Sequence, residues 1–138
     1  MANSTTLYRL KDGRMAVDVT EAKTLALKDC GVVQNVTIDA LTITLPAAVV
    51  NYSYTIRNGG VKATSGPTGS GSDGSVAITI APDGTEYMSG CELTTDASDL
   101  VVNTKATSQV GDEIGLVAST ATGWLITKLK GTWAKTSV

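Results

Sequence analysis

Three sets of residues in this 138-residue sequence have types and spacings that invite chemistry. Gly69, Gly71 and Gly74 fit G-x-G-x-x-G, the pattern that holds a dinucleotide pyrophosphate at a helix N-terminus. That use requires a strand before the glycines and a helix after them. Here they lead into 76–80, which alternates as a strand does, and no lysine follows as in a phosphate-binding loop. The stretch 65–74, SGPTGSGSDG, therefore reads as a flexible loop. Glu92, Asp96 and Asp99 gather carboxylates, but not at the spacing of an EF-hand calcium loop, and they read as a solvated acidic turn. Cys30 and Cys91 are far apart and form no C-x-x-C pair. With no apolar signal core in Met1–Leu10, two free, reduced thiols are expected.

Histidine is absent, which removes the commonest general base and the commonest transition-metal ligand. A Ser-His-Asp or Cys-His site is excluded within one chain. Zinc would need two distant cysteines plus carboxylates. A pair of carboxylates of the glycosidase kind is the remaining catalytic route, and the sequence singles out no pair. The expectation is a protein that is not an enzyme and holds no metal or cofactor, with a small β-fold hydrolase as the weakest alternative.

The elements that must position these residues are strands. The length fits one domain and is enough to bury a core without disulfides or metals. Hydrophobic residues make up 42%, yet aromatics only 4% and Phe is absent, so Val, Ile, Leu and Ala must build the core. Leu41, Ile43 and Leu45 alternate with Thr42 and Thr44 until Pro46 stops them. Tyr52, Tyr54 and Ile56 alternate with Ser53, Thr55 and Arg57, and Asn58-Gly59 follows as a tight-turn signal. Val76, Ile78 and Ile80 alternate next, ahead of a Pro82-Asp83-Gly84 turn. Val32–Ile38 is rich in β-branched residues, while 86–93 and 100–103 make weaker strands. Glu113–Ala118 and Gly123–Leu129 form a hairpin, with Trp124, Ile126 and Lys128 on one face of its second strand. No sustained helical period occurs. The fold class is all-β: a single β-sandwich, jelly-roll-like or barrel-like domain over 21–138, preceded by a short N-terminal arm over 1–20.

Charge is nearly balanced, with 11 basic and 13 acidic residues and a net charge of −2. This argues against nucleic acid as a partner, and no apolar run is long enough to span a membrane. The distribution is uneven. From Ala63 to Thr104 there are six acids and no Lys or Arg; from Thr122 onward there are Lys128, Lys130 and Lys135 and no acid. Two faces of opposite sign would suit packing of like subunits.

The run NTKAT (103–107), then Gly111-Asp112, then Gly123-Trp124 with Ile126, then Gly131-Thr132-Trp133, resembles the C-terminal end of small virion proteins of tailed phages, of the capsid decoration (cement) and head-fibre type. CGVVQNVTIDALTITLP (30–46) and YTIRNGG (54–60) have the same flavour. The resemblance implies a structural protein on the capsid exterior, assembled in the host cytoplasm, with the major capsid protein as partner and a homotrimer as its working form. The alternative it leaves open is a host-surface or carbohydrate-binding head-fibre domain that uses the 65–75 loop. Leu7, Tyr8, Arg9 and Leu10 group two leucines, an aromatic and an arginine. They are candidate capsid contacts on an arm, or else simply a first strand. Trp133 is a candidate intersubunit contact or a core residue.

Overall fold

The computed structural model describes residues 3–60 and 75–137. The loop glycines Gly69, Gly71 and Gly74 lie outside the described residues. Alternating apolar residues give strands that pack their inner faces together as two mixed sheets, an all-β sandwich.

The larger sheet contains β1 (Tyr8–Arg9), β2 (Met15–Val19), β4 (Val33–Val36), β6 (Ser53–Asn58), β8 (Tyr87–Gly90), β9 (Leu93–Thr94), β11 (Glu113–Thr120) and β12 (Gly123–Lys130), in the order β1-β2-β4-β6-β11-β12-β8-β9. The smaller contains β3 (Lys23–Thr24), β5 (Leu41–Thr44), β7 (Ile78–Ala81), β10 (Leu100–Asn103) and β13 (Ala134–Thr136), in the order β13-β10-β7-β5-β3. A 3₁₀ turn spans Leu27–Asp29.

From β2 to β7 the chain changes sheet at every strand. Consecutive strands within each sheet are consequently parallel: β2, β4 and β6 in one, β3, β5 and β7 in the other. Parallel neighbours need a crossover, and here the opposite sheet supplies it. This winding differs from a jelly roll, which is built of antiparallel Greek keys. Antiparallel pairing takes over in the second half, where β11 forms the expected hairpin with β12 and also pairs with β6.

The core is aliphatic, as the composition requires, with Val19, Val36, Ile43, Leu45, Ile56, Ile78, Ile80, Ile114 and Ile126 almost wholly buried. Trp124 is its largest fully buried member. Its ring lies 5.5 Å from that of Tyr54, and its indole nitrogen donates to Glu86 Oε1 at 3.3 Å. Two buried aromatics in such a tilted arrangement add about 0.5–1.5 kcal/mol beyond their area.

Two expectations need correction. Residues 8–19 belong to the sheet, as a first strand and its partner, and not to an arm: β1 pairs with β2, β2 pairs with β4, and Ala16, Val17 and Val19 are buried. Their β-branched residues find a parallel partner far along the chain, which no local signal announces. Asn58-Gly59 is not a hairpin turn either. Asn58 ends β6 with its side chain fully buried, and Gly59 is needed because any Cβ there would run into the Asn35 carboxamide.

Candidate functional site

The residues that could do chemistry sit on opposite faces of β6, because side chains alternate along a strand. Asn58 points inward and Arg57 outward.

On the inner side, Asn58 Nδ2 donates to Val76 O at 2.7 Å and to Asn103 Oδ1 at 2.8 Å, while its Oδ1 accepts from Gly60 N and Val76 N. Asn103 Nδ2 passes the chain on to Asp112 Oδ2 at 3.1 Å and to Thr132 O at 3.0 Å. Asp112 also accepts from Gln109 N. Asn58 has all four of its hydrogen-bonding positions engaged and Asn103 three of its four, so the network joins β6, β10 and two turns.

On the outer side the strand register places Asp18, Asn35, Arg57, Glu113 and Lys130 in one row across five adjacent strands. Arg14, just before β2, grips Glu113 through two hydrogen bonds of 2.8 Å, and Lys128 donates to the same carboxylate at 2.6 Å. Glu113 is only 2% exposed. Burial alone would raise its pKa, but the hydrogen bonds from Arg14 and Lys128 outweigh burial and hold it below the ordinary carboxylate value. A carboxylate kept ionised in this way cannot serve as a general acid near neutral pH. Tyr8 donates to Asp18 and accepts from Asn35 Nδ2 at 3.0 Å. Burial, and then the bond to Asp18, pushes its phenol up to about 12. Arg57 Nη1 donates to Asn35 Oδ1 at 2.9 Å.

The structure separates the four N-terminal candidates. Leu7 and Arg9 are exposed, Tyr8 is tied to Asp18 and Asn35, and Leu10 lines an open groove of about 280 Å³ with Lys11, Asp12 and Arg57. Trp133 lies in the chain's own core, 7% exposed, with its indole N–H on Lys130 O at 2.9 Å. Its ring is thus packed largely within its own chain, the core alternative.

The acidic turn does not assemble a ligand cage. Asp99 is buried and accepts from Asp96 N, Lys135 approaches both carboxylates, and Glu92 is exposed. Among the described residues no cluster of three metal-ligating side chains occurs. Cys30 and Cys91 are both free thiols. Part of the uneven charge is spent within the chain, because β13 pairs with β10 and so carries Lys135 to Asp96 and Asp99.

The glycines and tryptophans of the 103–133 run have structural tasks. Gly123 lies under the Tyr87 ring, Gly131 under the Asp112 carboxylate, and Trp124 and Trp133 fill the core. Comparison with family models, curated proteins and solved structures finds no match for the chain.

Proposed function

We propose that this protein is a structural virion component that docks on the outside of an assembled tailed-phage capsid and reinforces it, as a decoration protein does, acting as a homotrimer on the major capsid protein. One observation supports this reading beyond the sequence resemblance: large apolar side chains remain at the surface of a fold whose interior polar groups satisfy one another. Leu125 of β12 is 44% exposed and neighbours β8, whose Tyr87 is 36% exposed, and Leu7 is 52% exposed at the N-terminal side. Contiguous exposed apolar patches serve association while single apolar residues are ordinary, so the neighbouring Leu125 and Tyr87 carry this support. Binding the assembled shell and not its dispersed subunits stabilises the shell by mass action, and three copies in one unit multiply weak contacts into avidity.

Of the N-terminal candidates, Leu7 and Arg9 are the contacts to test, since Tyr8 is occupied within the fold. Purified protein is expected to co-sediment with capsids and to raise their disruption temperature, and Leu7→Ser with Arg9→Ser should weaken both effects. Protein that stays in the supernatant at saturating capsid concentration would overturn the reading. Light scattering that reports a monomer well above micromolar concentration would remove the trimer.

A further inference from the structure

The outer network holds more positive charge than its carboxylates engage. Glu113 is shared by Arg14 and Lys128, Asp12 is taken by Arg14 at 2.8 Å, and Asp18 accepts from Tyr8 and Asn35. Arg57 gives Nη1 to Asn35, while its Nη2 faces the turn at Gly111. A Cβ placed on Gly111 would stand 4.0 Å from Arg57 Nη2 and 3.8 Å from Lys130 Nζ, which puts the two cations at most about 8 Å apart, with no other described residue, the chain neighbours of Gly111 aside, within 4 Å of that point. Among the described residues Lys130 has no ion-pair partner. Arg57 also lines the groove that Lys11 enters from the β1–β2 turn.

We propose that Arg57 and Lys130 form a binding site for an oxyanion, a carboxylate or a phosphate group, over Gly111, with Lys11 on the groove side of Arg57. Three features carry this. Guanidinium and ammonium donors reach separate oxygens of one anion at about 2.8 Å each, so a single oxyanion bridges the gap between Arg57 and Lys130. Gly111, at φ +98°, adds no side chain to the spot between them. Glu113, the nearest carboxylate in the row, already has its charge matched by two other cations and does not fill the space. Asp12 on the groove wall opposes an incoming anion and keeps the site weak. The proposal does not rest on capsid binding.

The test is an amide NMR titration of the full chain at constant ionic strength, with inorganic phosphate in one arm and acetate in the other, chloride making up the balance. Saturable shifts confined to Gly111, Arg57, Lys130 and the β1–β2 turn are expected in at least one arm. Saturation by phosphate alone assigns a phosphate ligand, and saturation by acetate as well assigns a general oxyanion site. Lys130→Gln, an exposed change, should weaken binding about tenfold, as should Arg57→Gln. Asp12→Asn should tighten it about two- to threefold. Shifts that stay linear in both anions, or that are unchanged in Lys130→Gln, would overturn the proposal. If Arg57→Gln fails to fold, Lys130→Gln and Asp12→Asn decide the matter.

Discussion

Arg57 and Asn58 are neighbours in sequence, yet they belong to two different kinds of polar network. Asn58 looks inward to neutral carboxamides and main-chain groups that satisfy one another away from water. Arg57 looks outward to a charged network whose cations keep partial access to solvent around the buried Glu113: Arg14 is 38% exposed and Lys128 53%. Losing one member of the inner network leaves donors and acceptors that water cannot reach. Losing Glu113 from the outer network leaves cations that water can partly hydrate. The inner network is therefore architecture, while the outer one has capacity left for a partner.

The largest effect should come from breaking the inner network at its centre. Asn58→Leu orphans Val76 O, Asn103 Oδ1 and two amides together, at about 1–3 kcal/mol for each group left unpaired. We expect a loss of at least about 3 kcal/mol, approaching the whole stability of a small domain. Urea denaturation measures it, and a loss below 1 kcal/mol would mean that the carboxamides are replaceable packing. Gly131→Ala attacks the same network from its far end. At φ +95° the new Cβ is strained, and it meets the Asp112 carboxyl that Asn103 holds. A loss of about 2–4 kcal/mol is expected.

The outer network should respond less. Glu113→Gln keeps the shape and removes the charge shared by Arg14 and Lys128, at about 1–3 kcal/mol. The pH dependence supplies an independent check. Glu113 has a folded-state pKa below its ordinary value of 4.5, so its contribution is fully present above that value and is lost as pH falls through the depressed folded value. The parent should lose stability to acid more steeply than Glu113→Gln does. Equal acid profiles in the two proteins would show that Glu113 is not a stabilising charge.

How much of this could be read in advance follows the same division. The alternation of Leu41-Ile43-Leu45, of Tyr54-Ile56 and of the 113–129 hairpin marks strands because burial on one face is a local, period-2 signal. Which strands lie side by side is not local. The parallel winding of β2, β4 and β6 pairs Asp18 with Asn35 and Asn35 with Arg57 across long connections, so the outer row stayed invisible although each of its charges sat in plain view. Asn58-Gly59 carries a genuine turn signal, but burial with four hydrogen-bonding groups outweighs it. For Tyr8 the two readings, arm contact or first strand, could not be separated locally, because its hydroxyl partner, Asp18, becomes a neighbour only once β1 folds back on β2.

The smallest effect expected is at Lys135. This residue joins the acid-rich half of the chain to the lysine-rich end, pairing with Asp96 at 3.4 Å and approaching Asp99 at 3.9 Å. If opposite charge were what holds β13 in place, Lys135→Ala should release the strand. The geometry argues otherwise. Asp96 is 85% exposed and Lys135 45%, so water and salt screen the pair, and exposed pairs of this kind contribute about 0.2–1 kcal/mol. Asp99, though buried, lies farther from Lys135 and already accepts from Asp96 N at 2.9 Å. The attachment of β13 comes instead from its main-chain pairing with β10 and from Trp133, whose buried ring anchors the chain just before the strand begins. Lys135→Ala should therefore cost no more than about 0.5 kcal/mol, with hydrogen exchange at 134–136 unchanged. Trp133→Ala should cost about 3–5 kcal/mol and free the strand. Faster exchange at 134–136 in Lys135→Ala would reverse that order and make the charge pair the anchor of the C-terminal edge.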